Sequence, residues 1–231
     1  MTAPGDPVWV FGYGSLIWRP AMAHVARRAS RIDGWARRFW QASTDHRGTV
    51  EAPGRVLTLV ESDGAVWGMA YAIARAAWPE TEAALELREQ QGYARLTVDI
   101  GLAAGERAGP VVETVAGLLY VATPANPYFI GPEPLAATAD VVLRSHGPSG
   151  SNVDYVLALD HMLAAMGAAD PEVSALAEHH RAAQRRPTRG GRPRASAPAW
   201  AARWPDGSRG RRRSAPPAAR AGSTRHRGTS T

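Results

Sequence analysis

A buried-strand pattern that runs directly into a glycine turn constrains this chain more than any other stretch of its sequence. Residues Trp9–Trp18 read W-V-F-G-Y-G-S-L-I-W, with a continuous apolar run followed by a turn built on Gly12 and Gly14. Glycine suits a backbone that takes positive φ or passes close to a ligand, and successive amides in such a turn form an anion-binding concavity. We therefore expect a strand followed by a loop that can hold a small carboxylate.

Two commoner motifs do not fit this loop. A dinucleotide-binding fingerprint needs a third glycine where this chain has Ile17, so the phosphate-binding start of a helix is missing. A nucleophile elbow needs G-x-S-x-G, whereas Ser15 follows Gly14 directly, which favours a hydrogen-bonding role for this serine. For the loop taken alone, an ordinary strand that ends in a glycine turn remains the simpler interpretation.

The charge of the chain is divided between two regions. The 231 residues carry a formal net charge of +6. All 27 Lys and Arg residues are arginine. Residues 1–180 contain 13 Arg against 20 Asp and Glu, a net −7, whereas residues 181–231 contain 14 Arg against the single acid Asp206, a net +13. We therefore expect an acidic folded region and a basic tail.

The composition also changes near residue 185, where Arg, Ala, Pro, Gly and Ser replace the larger aliphatic residues. Such a segment buries too little apolar surface to offset its ordering entropy, so we predict a folded domain over 8–184 and a disordered tail over 185–231. Arginine runs bind phosphate without sequence preference, so a non-specific nucleic-acid arm is one interpretation of the tail. A solvated extension without a role is the simpler one.

Several classes of site are excluded or disfavoured by what the sequence lacks. With no cysteine, the chain has no disulfide, thiolate metal site or cysteine nucleophile. No apolar run approaches the ~18 to 20 residues of a membrane span, and the first residues lack a signal-peptide pattern, so we expect a cytoplasmic protein. His179 and His180 have no partner at metal-ligand spacing, which predicts exposed side chains and no metal.

The hydrophobic periodicity predicts an α+β protein, with strands first and most helices late. After the opening strand, strands are predicted over residues 24–32, 35–43, 55–60, 65–71, 93–100 and 113–122. Turns are predicted at Gly34 and at Ser62–Gly64. Helices are predicted from Pro79 to about Gln91, over 132–145, and over 152–166 with Asn152 as the N-cap.

One acidic residue stands just before a glycine turn. Glu89 lies in the sequence R-E-Q-Q-G-Y at the predicted end of a helix. Taken alone, such a glutamate is typical of a solvated helix surface. Its neighbours in the sequence suggest a different role.

The segment Val10–Trp18 resembles the opening motif of the ChaC-type γ-glutamylcyclotransferases, and the resemblance continues in the family's order over about residues 8–167. The further matching segments are Arg38–Gln41 with Ser43, Asp45–Thr49, Pro53–Val56, Val66–Gly68 with Tyr71, Arg88–Glu89 with Gly92–Tyr93, Ala122–Pro124 with Asn126–Pro127, Gly131–Pro132, and Gly147–Gly150 with Asn152 and Tyr155. So many motifs in one order are far more specific than a single glycine loop.

The resemblance implies a small, mostly closed mixed β-barrel with helices packed around it, and an enzyme that needs no cofactor. It implies that the preferred substrate is reduced glutathione, cleaved to 5-oxoproline and cysteinylglycine. It assigns Glu89 as the general acid/base. It also assigns a loop that holds the γ-glutamyl group, formed by Val10, Phe11, Gly12, Tyr13, Gly14, Ser15 and Leu16.

The residues suit this reaction chemically. The α-amine of the substrate must attack its own γ-carbonyl, yet much of that amine is protonated near pH 7. A sheltered carboxylate has its pKa raised by desolvation, which brings it closer to the pKa of the amine that it deprotonates. Because both reacting groups belong to one molecule, a folded γ-glutamyl arm supplies a large effective molarity.

Some positions depart from the family pattern or carry weaker assignments. Gln91 stands where the family often has glycine, and Phe129 stands where it commonly has a tyrosine whose hydroxyl would reach substrate. His46 and Arg47 are candidates to contact the glycine carboxylate of glutathione, with an Asp45–Arg47 structural pair as the alternative. Other γ-glutamyl amines or amino acids, or a non-catalytic γ-glutamyl-binding role, remain open, and the sequence predicts no oligomeric state.

Overall fold

The computed structural model describes residues 5–20, 22–88 and 92–185. Its five long strands are β1 (Val8–Gly12), β2 (Ala26–Ser43), β3 (Gly54–Ile73), β4 (Ala94–Ala103) and β5 (Val111–Val121). Two short strands follow, β6 (His146–Gly147) and β7 (Gly150–Ser151). The helices are α1 (Trp78–Arg88), α2 (Leu135–Arg144), α3 (Asn152–Met166) and α4 (Pro171–Arg185). The predicted α+β class is confirmed.

The long strands pair in one mixed sheet in the order β1-β3-β2-β4-β5. Strand β1 pairs antiparallel with β3 and parallel with β5, so the ladder closes on itself. Apolar side chains fill the inside, and among them Phe11, Tyr71 and Leu119 are at most 1% exposed. The strand of the opening motif is therefore held on both sides, which fixes the point where its glycine loop begins.

The turns predicted at Gly34 and Ser62–Gly64 were wrong, because β2 and β3 continue through both positions. Gly34 has a φ of +84°, and the pairing shifts register between Asp33 and Trp35. Their partners on β3 are Ala65 and Glu61, so Ser62–Gly64 lies opposite Gly34. Both turn signals mark one bulge, which bends a strand without ending it. Four predicted strands are consequently two.

Helix α3 has the predicted bounds, but the predicted N-cap at Asn152 was wrong. Ser151 is the N-cap, since its side chain accepts a hydrogen bond from the Asp154 amide at 3.0 Å. Asn152 is completely buried, and its side-chain amide bonds both the N–H and the C=O of Arg55, at 2.6 and 2.8 Å. The side chain of Asn152 thus satisfies the backbone at the start of β3 instead of capping its own helix.

Helix α4 was not predicted as an element. It buries Val173, Leu176, Ala177 and His180 at helical spacing, so the predicted exposure of His180 was wrong. Burial, with a smaller contribution from His179, lowers the pKa of His180. The predicted tail falls on residues outside those described, except Arg185 at the end of α4.

None of the helices within the described ranges combines the length and the apolar character that crossing a bilayer requires.

Candidate active site

A cavity of about 360 Å³ opens beside the end of β1. It is formed by the loop after β1, the loop after β2, the start of β3, both flanks of the segment 89–91, β5, the β6–β7 turn and α3. Its lining residues are Phe11, Tyr13, Gly14, Ser15, Leu16, Arg19, Ser43, Asp45, His46, Arg47, Val56, Leu57, Arg88, Tyr93, Tyr120, Ser149 and Tyr155. The structure thus brings together segments that are far apart in sequence.

Most of the loop assigned to the γ-glutamyl group lines this cavity, namely Phe11 and Tyr13 to Leu16. Val10 and Gly12 do not. Val10 is fully buried in β1, and a Cβ at Gly12 would lie 2.6 Å from the Cβ of Leu16. Gly12 is therefore required by close packing behind the loop. Contact of these residues with substrate remains a prediction.

The loop after β1 turns into a short helix beside the cavity. Gly14 caps a short 3₁₀ helix, Ser15–Ile17, whose first bond runs from the Ile17 amide to the Gly14 carbonyl at 3.0 Å. Ser15 and Leu16 come before Ile17, the first residue whose amide is bonded within this helix. Both residues line the cavity. Backbone amides at such a helix start favour an anion.

Gly14 lies close to Tyr155 of α3. Its φ is −121°, so positive φ is not the reason for glycine here. A Cβ at this position would point toward the hydroxyl of Tyr155, at 3.2 Å, across the cavity wall. Glycine therefore leaves room for the Tyr155 hydroxyl close to the loop backbone.

Tyr71 holds the same short helix from the inside of the sheet. Its hydroxyl donates to the Leu16 carbonyl at 2.7 Å. Burial raises the pKa of Tyr71 to about 12, so the hydroxyl remains a proton donor over the physiological range. The helix that carries the cavity amides is consequently fixed from behind.

Arg88, the last residue of α1, connects that helix to the loop. Its Nη2 donates to Ser15 Oγ at 2.8 Å, and its Nη1 donates to the Arg19 carbonyl at 3.2 Å. Arg88 and Tyr93, on either side of the segment 89–91, both line the cavity. Glu89 itself lies outside the described residues, so its catalytic assignment stays a prediction.

Arg47 lies on another wall and is only 7% exposed. Its Nη1 donates to the carbonyls of Ser149 and Ser151 at 2.8 and 3.2 Å, and its Cζ is 5.4 Å from the ring centroid of Tyr155. The guanidinium therefore bonds carbonyl oxygens instead of forming the alternative pair with Asp45. Burial is the main factor that lowers the pKa of Arg47, and the nearby Tyr155 opposes it.

The described lining has a positive balance, with Arg19, Arg47 and Arg88 against the carboxylate of Asp45. Such a balance suits a small anionic ligand, because an enclosed site strengthens charge interactions. Within the described ranges, no cluster of three or more His, Asp or Glu side chains is arranged to hold a metal ion.

Phe129, where the family commonly has tyrosine, lies against Trp40. The ring centroids are 6.2 Å apart at an interplanar angle of 85°. Phe129 is not among the residues that line the cavity. In this structure the missing hydroxyl is therefore at a packing position.

Sequence reasoning did not assign a role to Tyr155 or to the side chain of Arg88. Both belong to matching segments of the family motif, which was the available signal. Their roles depend on distances between α3, α1 and the loop that no local pattern contains. Arg88 holds Ser15, and Tyr155 lies between Arg47 and Gly14.

Comparisons with known proteins agree with this architecture. A family model described as ChaC-like protein matches residues 8–183. Glutathione-specific gamma-glutamylcyclotransferase 1 of Homo sapiens is 37% identical over 179 residues, covering 75% of this chain and 79% of that protein. Glutathione-specific gamma-glutamylcyclotransferase of Saccharomyces cerevisiae is 35% identical over 207 residues, covering 72% of this chain and 89% of that protein.

A solved structure is also similar. The crystal structure of a selenomethionine-labelled γ-glutamyl cyclotransferase specific to glutathione, from yeast, superposes with a TM-score of 0.71 at 32% identity. It covers 77% of this chain and 96% of the yeast chain. By its sequence and its fold, the chain belongs to the ChaC-like protein family.

Proposed function

We propose that this protein cleaves reduced glutathione by cyclising its γ-glutamyl group, with release of 5-oxoproline and cysteinylglycine. The observation that carries the proposal is the cavity, which is lined by loop residues Tyr13 to Leu16 and by three arginines. Relatives named as glutathione-specific γ-glutamylcyclotransferases, at 35–37% identity, support this choice of substrate.

The cavity suits glutathione in size and charge. Its volume of about 360 Å³ lies within the range of small-molecule sites, roughly 300 to 1,000 Å³. Glutathione carries two carboxylates, and the cavity has the glycine loop on one wall and Arg47 on another. We assign the α-carboxylate of the γ-glutamyl group to the loop amides.

The proposed reaction balances without a co-reactant. A bond forms between the α-amine nitrogen and the γ-carbonyl carbon, while the amide bond from that carbon to the cysteine nitrogen breaks. A general base removes the proton of the attacking amine, and the same group then protonates the departing amine of cysteinylglycine. Holding both ends of one molecule together lowers the barrier of ring closure.

We propose Glu89 as this general acid/base. The family motif assigns the role, and covalent continuity supports it, since Glu89 directly follows Arg88, whose guanidinium bonds Ser15. Tyr93, four residues farther along the chain, lines the same cavity. The ends of this short segment therefore meet the site where the base is needed.

A substrate panel tests the proposal. Purified protein is incubated with reduced glutathione, γ-glutamylcysteine, a γ-glutamyl amino acid and a γ-glutamyl amine, and 5-oxoproline is measured. We expect glutathione to be turned over with the highest kcat/KM. Preference for another γ-glutamyl compound would change the substrate, and binding without any 5-oxoproline would contradict an enzymatic role.

We also propose a cytoplasmic location, on the basis of the cysteine-free composition. Fractionation of cells that express the full chain tests this, with 5-oxoproline formation as the marker.

A further inference from the structure

A buried arginine contacts the cavity loop from the side opposite to the ligand. Arg37, in β2, is 2% exposed and does not line the cavity. Its Nε donates to the carbonyl of Tyr13 at 3.0 Å, and its Nη2 donates to the carbonyl of Trp67 on β3. Its Nη1 donates to the carboxylate of Asp170 at 3.0 Å. One side chain thus joins the loop, the sheet and the start of α4.

The bond to Tyr13 fixes the direction of the next amide. The Tyr13 carbonyl and the Gly14 N–H belong to one planar trans peptide, in which the two groups point in opposite directions. Because Arg37 holds the carbonyl on one side, the Gly14 N–H points away from Arg37. Gly14 lines the cavity and Arg37 does not.

Asp170 has a separate task for each carboxylate oxygen. Its Oδ1 accepts the amides of Glu172 and Val173 at 3.1 and 3.3 Å, which caps α4. Its Oδ2 accepts from Arg37. Burial lowers the pKa of Arg37, and the nearby Asp170 is the largest influence that opposes the shift. The buried cation therefore depends on this partner.

We propose that Arg37 and Asp170 are positioning residues, which hold the Tyr13–Gly14 peptide so that the Gly14 amide faces the γ-glutamyl group of the substrate. This inference rests on the proposed function. It makes the start of α4 part of the support for the substrate-binding loop, although α4 itself does not line the cavity.

The test is Asp170→Asn, since asparagine keeps the size of the side chain but has only one acceptor oxygen. In one orientation the NH₂ group of the asparagine faces the amides at the start of α4, and in the other it faces Arg37. The negative charge is lost in both orientations. The matched control is Asp160→Asn in α3. Asp160 also bonds α4 with both oxygens, to Ser174 at 2.8 Å and Arg181 at 2.6 Å, and its side chain is similarly buried, 12% exposed against 15% for Asp170.

A misdirected amide weakens binding of a group that is the same in the ground and transition states, so KM should rise while kcat changes little. We expect Asp170→Asn to raise the KM for glutathione about fivefold or more, with kcat within about twofold of wild type. Both Asp170→Asn and Asp160→Asn should lower the denaturant midpoint, by similar amounts. Asp160→Asn should leave the KM for glutathione unchanged. Arg37→Lys, which keeps the charge but loses the planar fork, should raise KM as well.

Equal KM values for Asp170→Asn, Asp160→Asn and wild type would overturn the inference while leaving the proposed function intact. A folded wild-type protein that forms no 5-oxoproline would contradict the proposed function itself. An Asp170→Asn protein that loses kcat and keeps KM would also overturn the inference, because it would place the effect on the chemical step.

Discussion

At the scale of single residues, burial decides what Arg47 can do. Its guanidinium is bonded to carbonyl oxygens and stacked on Tyr155, at the wall of a cavity whose lining is positive in balance. A cation in this setting gains most from an anion that enters the cavity. We therefore assign the glycine carboxylate of glutathione to Arg47.

Substitution of Arg47 tests this assignment. Arg47→Gln replaces the guanidinium with a shorter, neutral amide, so the charge is removed. We expect the KM for glutathione to rise about tenfold, whereas the KM for the analogue ending in glycinamide should change little, since a charge-assisted hydrogen bond contributes roughly 1.5 to 3 kcal/mol. An equal rise in KM for both substrates would assign Arg47 a purely structural role.

At the scale of elements, two glycines of the sheet have different reasons for being glycine. Gly34 has positive φ, and a Cβ there would meet only open space, whereas a Cβ at Gly12 has no room because Leu16 is packed behind it. The first requirement is a local backbone preference and the second is a tertiary contact. Gly34 lies in the β2–β3 bulge, away from the cavity, whereas Gly12 lies behind the cavity loop.

Replacing each of these two glycines with alanine should change stability and activity differently. Gly34→Ala should lower the free energy of unfolding by roughly 1 to 2 kcal/mol, the strain of a left-handed residue, and leave kcat/KM for glutathione unchanged. Gly12→Ala should displace Leu16 and reduce kcat/KM at least tenfold. Chemical denaturation and the 5-oxoproline assay measure the two effects. Equal loss of activity in both variants would contradict this distinction.

The buried His180 in α4 should make the stability of the protein depend on pH. His180 is buried with a lowered pKa, so the unfolded chain takes up a proton near pH 6.5 before the folded chain does. The unfolded state then binds more protons, and the free energy of unfolding contributed by His180 decreases as the pH falls below about 6.5. Above that pH this residue contributes no slope.

Denaturant unfolding at pH 7.5 and 5.5 measures this effect. His180→Gln should lose part of the decrease in stability between the two pH values, while the control His179→Gln, at an exposed position on the same helix, should keep most of it, since His179 makes the smaller contribution to the lowered pKa of His180. Identical pH dependence in both variants would mean that His180 does not titrate as its burial indicates.

At the scale of the whole molecule, the sequence predicts the parts of the site better than their connections. The glycine loop, α3 and the long β4 and β5 strands follow from local patterns, because each has its own periodicity and boundary residues. The bond of Arg88 to Ser15 and that of Arg37 to Asp170 join residues 73 and 133 positions apart. No local pattern contains such contacts.

The missed features have related physical causes. The bulge at Gly34 carries the same residues as a turn, and only the strands that pair on both sides of it distinguish the two. Asn152 precedes a helix, as a cap does, but the neighbouring β3 backbone captures its side chain. In α4 the residues Val173, Leu176 and Ala177 recur at helical spacing, and His180 completes the buried face.

The central claim concerns one carboxyl group, and Glu89→Gln tests it most directly. Glu86→Gln is the matched control, since Glu86 lies in α1 and pairs with Arg95 at 3.3 Å outside the cavity lining. We predict that Glu89→Gln binds glutathione with nearly unchanged affinity but forms 5-oxoproline at less than a few per cent of the wild-type rate, while Glu86→Gln keeps full activity. A Glu89→Gln protein with substantial turnover would contradict the account.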